Sequence, residues 1–177
     1  MKSRYKIHNK DGIYFVTSTI VNWIPVFINE KYYDIILNTM RHYQKNNNLI
    51  IYAYVFLDNH FHMIISNEDV SKIMQSAKKY SAKEIVKNLK ADLNEKILKE
   101  FRELKPGYKN TSTHQVWQES FHPQEIISYE MLKQKIEYIH YNPVRKNFVL
   151  NPSDWKYSSA ADYYTDRKGP LDIVRIV

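Results

Sequence analysis

Apolar and polar residues change period several times along this chain. Ile13 to Ile20 is β-branched and aromatic behind an Asp11-Gly12 turn, which predicts a strand. Lys31 to Asn46 instead carries Tyr32, Ile35, Ile36, Met40 and Tyr43 at helical spacing, and Asn46-Asn-Asn48 breaks that helix. Leu49 to Phe56 and His60 to Ser66 return to strand character on either side of Leu57-Asp-Asn59, predicting a hairpin. From Ser71 to about Glu103, Ile73, Ala77, Tyr80, Ile85, Leu89, Leu93 and Ile97 predict one long helix stopped by Pro106-Gly107. A short segment around Val116-Trp117 leads to a last helix marked by Leu132, Ile136 and Ile139, expected to end near Asn142 because Pro143 follows. The order β-α-β-β-α-β matches a ferredoxin-like (RRM-like) α+β fold, an antiparallel sheet with helices on one face. No linker, repeat or low-complexity tract divides the chain, so residues 1–177 are expected to form one domain, with a core over about 12–145 and a C-terminal extension over about 146–177.

Composition narrows the partner more than the chemistry. The 177 residues suffice for one sizeable core, and a hydrophobic fraction of 44% is ordinary for a globular protein. Lys and Arg number 26 against 19 acidic residues, a net charge of +7 that favours a polyanionic partner. The absence of cysteine excludes a disulfide framework and a thiolate metal site. No apolar run approaches the ~20 residues of a membrane span, and the polar start Met1-Lys-Ser-Arg-Tyr-Lys lacks an apolar signal region. A soluble, cytoplasmic protein with no membrane partner is expected.

The chemistry-bearing residues sit in two distant segments. His60 and His62 flank Phe61 on a predicted strand, so both imidazoles point to one face while Phe61, Met63 and Ile65 point to the other. That arrangement suits two ligands of one metal ion, and it equally suits solvent-facing histidines alternating with core residues. On the last helix Tyr138 and Asn142 are i and i+4, one turn apart on one face. Two imidazoles and a carboxamide oxygen would leave a metal with open positions, and a phenol beside it is a potential nucleophile once a cation or base assists it. A core tyrosine and a helix-capping Asn before proline are the structural alternatives.

These motifs carry a family resemblance. Asp58-Asn-His-Phe-His-Met-Ile64, then Glu137-Tyr-Ile-His-Tyr-Asn-Pro-Val144 and Asp154-Trp-Lys-Tyr-Ser-Ser159, together resemble the single-tyrosine HUH transposases, in particular REP-associated tyrosine transposases and their insertion-sequence relatives. The resemblance runs from Gly12 through Tyr163. It implies an HUH endonuclease architecture that cleaves and rejoins single-stranded DNA beside a hairpin through a 5′-phosphotyrosine intermediate. By it, His60 and His62 are the metal ligands, Tyr138 is the nucleophile, and Asn142 stands where some relatives carry Gln as third ligand. Mg²⁺ or Mn²⁺ is the implied cofactor, and hairpin-bearing repeat ends in the bacterial cytoplasm, at the nucleoid, are the implied partner. Relatives act as monomers or as homodimers that exchange the tyrosine helix. A hairpin-binding module without chemistry is the alternative, while a water-using hydrolase is disfavoured because no carboxylate cluster accompanies the histidines.

Other polar residues follow from these readings. Lys78, Lys79 and Lys83 line one edge of the long helix, which is either a solvated face or, as the resemblance to the family's hairpin-contacting helix implies, a grip on phosphates, with Tyr80 available to stack a base or to join the core. Lys2, Arg4 and Lys6 form a smaller basic arm. His114, His122 and His140 lack a partner at ligand spacing, although His122 follows the Val116-Trp-Gln stretch that in the family lies near the active site. Tyr141, displaced from the Tyr138 face by roughly 60°, is an alternative nucleophile on sequence grounds, and the resemblance selects Tyr138; Asp58 or Glu137 can serve as partners for imidazole N–H groups or as exposed turn and helix residues.

Overall fold

A computed structural model of the chain describes residues 7, 9–108, 112–119, 121 and 123–176. Four strands, β1 (Ile13–Thr19), β2 (Ile50–Phe56), β3 (His60–Ser66) and β4 (Gln124–Glu125), form one antiparallel sheet in the order β2-β3-β1-β4. This is the expected ferredoxin-like strand order, with β4 reduced to two residues. Val116 and Trp117 supply only an isolated bridge from Trp117 to Ile20.

Helices cover both faces of the sheet and not the one expected, because the near-continuous apolar runs of β2 and β3 leave both faces apolar. Val16, Phe61, Met63 and Ile65 face α1 (Glu30–Asn47) and α2 (Val70–Ala91), packing with Ile36, Met40, Met74 and Ile85. Phe15, Val55 and Ile64 face the opposite way, toward Leu132, Ile136 and Ile139 of α4 (Tyr129–Arg145). The shift in β2 pairing between Ile51 and Ala53 sets Tyr52 and Ala53 together on this second face. The helix with the candidate nucleophile therefore lies on the same side as the even-numbered residues of β3.

Two helical expectations are corrected. The run from Ser71 to Glu103 is not one helix but α2 followed by α3 (Glu95–Glu103). A continuous helix of that length would extend roughly 50 Å, far beyond seven-residue strands of roughly 23 Å. Leu93 instead turns left-handed (φ 54°), Asn94 N–H bonds the Leu89 carbonyl (2.9 Å), and the Asn94 side chain caps α3. The reversal returns Leu98 and Phe101 to the core. The last helix, in turn, does not stop at Asn142 but runs through Pro143 to Arg145. So near the helix end the missing proline N–H costs one bond, and Lys146 and Phe148 N–H still find the Asn142 and Pro143 carbonyls.

The segment after α4 braces the edge of β2. Tyr157 carbonyl accepts from Phe56 N–H, Ser159 N–H bonds the Tyr54 carbonyl, and Trp155 Nε1 donates to the Phe56 carbonyl. Tyr157 stacks on Tyr33 of α1 at 3.5 Å between centroids. An exposed edge is thereby covered. The Trp-Lys-Tyr-Ser-Ser motif is a structural clasp, continued by α5 (Ala160–Tyr164) and by buried Leu171.

Candidate active site

Because β3 alternates, His60 and His62 emerge on the α4 face, with ring centroids 5.0 Å apart. Both are buried, at 4% and 6% exposure. Across the sheet Thr17 lies opposite His62, and its Oγ1 is 2.7 Å from His62 Nδ1. Phe15, two residues earlier on the same face, stacks on the His62 ring at 5.4 Å.

Asn59 fixes the tautomer of His60. Its Nδ2 donates to the Trp23 carbonyl (3.0 Å), so its Oδ1 is the atom facing His60 Nδ1 at 2.7 Å. An amide oxygen only accepts, so Nδ1 carries the proton and Nε2 keeps its lone pair. The partner of His60 is thus Asn59, and not Asp58, whose carbonyl instead accepts from Val26 and Phe27 N–H.

Burial holds both imidazoles neutral. It lowers His60 to about 4, with Lys146 adding to the effect, and His62 to about 3, with His60 and Lys135 adding to it. Neutral imidazole is the form that ligates a metal. The two neutral rings, 5.0 Å apart between centroids, are thus of the donor type a divalent cation takes. Among the described residues no three His, Cys, Asp or Glu side chains are grouped to hold a metal. Asn142 is buried at 5% exposure and its side chain makes no hydrogen bond among the described residues.

Tyr138 meets His62 directly. The rings sit edge to face at 5.2 Å, and Phe15 contacts Tyr138 at 6.0 Å. Tyr138 remains 38% exposed, so its ring is held at one edge and open at the other. Neighbouring Tyr141 is exposed and makes no ring contact with either histidine. The structure thus gathers His60, His62 and Tyr138, and places Asn142 one turn beyond Tyr138.

Sequence comparison returns the resemblance carried by the motifs. The chain is 25% identical over 154 residues to a protein of Haemophilus influenzae named "Putative REP-associated tyrosine transposase", spanning 85% of this chain and 80% of that one. The chain is similar to REP-associated tyrosine transposases. Its fold matches the structure of a REP-associated tyrosine transposase bound to a REP hairpin, with a TM-score of 0.67 over 100% of this chain and 99% of the other at 22% identity. No family model matches the chain.

The basic edge is only partly as expected. Lys79 and Lys83 are exposed on α2, as is Tyr80 at 54%, which places Tyr80 outside the core. Lys78 instead donates to the Gln118 carbonyl (2.7 Å), tying α2 to the segment after Trp117. Because α2 packs on the sheet face opposite α4, this edge and the histidine pair lie on opposite sides of the sheet. Arg4, with Lys2 and Lys6, and His122 lie outside the described residues. His140 is a buried hydrogen-bonding residue between Ser159 Oγ (2.8 Å) and Tyr164 OH (3.2 Å).

Sequence reasoning missed three cations around the histidines and the tyrosine. Arg145 lies over the Tyr138 ring at 5.5 Å, Lys135 lies over Phe15 at 4.6 Å, and Lys146 bears electrostatically on His60. Lys135, Tyr138, Asn142 and Arg145 follow i, i+3, i+7, i+10 spacing, a single helical stripe. The stripe was legible, but ending the helix at Asn142 cut Arg145 from it. No helix among the described residues is long and apolar enough to cross a membrane.

Proposed function

We propose that this protein is a metal-dependent single-stranded DNA transposase that cleaves and rejoins DNA beside a hairpin. The observation that carries the reading is Tyr138 set edge to face against His62, itself paired with His60, with Arg145 over the tyrosine and Lys135 over the adjoining Phe15. The sequence relative named as a REP-associated tyrosine transposase, and the fold match bound to a REP hairpin, support a hairpin-bearing DNA substrate.

In this reading the Tyr138 oxygen attacks the scissile phosphorus and the bond to the 3′ oxygen breaks. The products are a 5′-phosphotyrosyl protein and a free 3′ hydroxyl, and the proton lost by the phenol balances the one gained by the 3′ oxygen. Rejoining reverses the step with another 3′ hydroxyl, so no ATP is required. His60, His62 and Asn142 would hold Mg²⁺ or Mn²⁺, which when bound neutralises charge on the phosphate. Arg145 and Lys135 draw the anionic strand toward the phenol. Lys79 and Lys83, with Lys78 and Arg4 as further candidates, contact phosphates of the folded DNA away from the chemistry.

The test is a denaturing gel of the protein with end-labelled hairpin DNA from the flanks of its own gene, with Mg²⁺ or Mn²⁺ and with chelator. A metal-dependent covalent band, absent in Tyr138→Phe, is expected. Hairpin binding without a covalent band under either metal would instead identify a non-catalytic hairpin-binding module.

A further inference from the structure

Between β1 and α1 the chain makes a 3-10 turn, Val21–Trp23, in which Asn22 (φ 52°) and Trp23 (φ 56°) are both left-handed. A bulky residue rarely occupies that region, and two in succession persist only where surrounding contacts impose them. Those contacts are present. Val21 N–H bonds the Val116 carbonyl (2.9 Å), Trp23 N–H bonds the Ile20 carbonyl (3.1 Å), and Ile20 N–H bonds the Asn59 carbonyl (2.8 Å). The Trp23 carbonyl accepts from the same Asn59 side chain that orients His60.

This strain does not serve to bury the indole. Trp23 is 54% exposed, whereas Trp117 is 4% exposed in the core. Its ring meets His60 in a T-shaped contact, with centroids 5.4 Å apart and planes at 76°. A large aromatic surface is thus presented to solvent from a hydrogen-bonded turn at the rim of the histidine pair, next to where a strand would be cut. Aromatic side chains so placed stack unpaired bases of any sequence.

We infer that Trp23 is the stacking platform for an unpaired nucleobase flanking the scissile phosphate, an inference that rests on the proposed single-strand DNA reading. It locates the strand by its base while the cations around Tyr138 hold its phosphates, and through Asn59 it ties strand position to the orientation of His60.

The test measures binding in chelator, where no chemistry is needed, using a labelled DNA hairpin with a single-stranded flank in which abasic sites are walked position by position. Wild type is compared with Trp23→Gly, which removes the ring and suits a left-handed backbone, and with Trp23→Phe. At one flank position, loss of the base should weaken wild-type binding by about 5- to 150-fold, should not weaken Trp23→Gly further, and should again weaken Trp23→Phe. Equal affinity of Trp23→Gly and wild type for the intact flank, a wild type indifferent to every abasic site, or abasic losses undiminished in Trp23→Gly would overturn the inference. Covalent adduct formation, assayed separately with metal, keeps the two readings apart. Coupling without adduct retains the stacking site and removes the Tyr138 chemistry, while adduct without coupling does the reverse.

Discussion

Tyr138 touches His62 edge to face at 5.2 Å although the two residues lie on different elements, one on α4 and one on β3. Their meeting depends on α4 covering the sheet face that carries the even-numbered residues of β3. Replacing Tyr138 by Phe keeps the ring contact and deletes only the hydroxyl. Covalent adduct should vanish on a denaturing gel, while hairpin affinity changes less than about twofold and chemical unfolding shifts by less than about 0.5 kcal/mol, as for a partly exposed position. Adduct persisting in this variant would remove Tyr138 as the nucleophile.

Burial keeps His60 and His62 neutral down to about pH 4 and about pH 3. The sign follows from the lowered values: protons compete for the imidazoles only as pH falls toward those values, not through the ordinary 6.5. Mn²⁺ affinity measured by calorimetry should therefore be nearly flat from pH 7.5 to about 5.5. A tenfold loss per pH unit beginning near 6.5 would contradict this protonation state.

Asn59 joins Trp23 to His60 through one amide. Asn59→Ala frees the His60 tautomer, and metal affinity should fall by about 10- to 100-fold. Raising Mn²⁺ should recover adduct formation. Failure of excess metal to recover it would show that Asn59 acts other than by orienting the imidazole.

Arg145 lies over the Tyr138 ring, where in the proposed reaction its charge would face the phosphate under attack. Arg145→Ala should slow adduct formation by roughly 3- to 30-fold, with Arg145→Lys between it and wild type. Single-turnover rates at saturating DNA separate this from weaker binding, and an unchanged rate would confine Arg145 to strand binding.

Ser159 is fully buried and its hydroxyl serves Tyr54 N–H, at 2.9 Å, and His140 Nε2, at 2.8 Å. Ser159→Ala leaves those groups without a partner and should cost about 1–3 kcal/mol in urea unfolding. No change would mean the clasp over β2 is held by Trp155 and Tyr157 alone.

The sequence by itself determined the local periods. Period-two alternation specified β3 with both histidines on one face, and i, i+4 spacing specified Tyr138 and Asn142 on one side of a helix, since both patterns depend only on neighbours along the chain. Other features required the assembled molecule. The period of α2 continues past Leu93, yet the chain reverses there because a straight helix would leave Leu98 and Phe101 without a core to enter. Which sheet face α4 covers, and hence whether Tyr138 meets His62 at all, was decided by the complementary apolar faces of α4 and of β1, β2 and β3. Trp23 beside His60 was decided by hydrogen bonds to Asn59 and Val116, residues remote in sequence. Local spacing orients a side chain about its own element, and only packing between elements determines what that side chain meets.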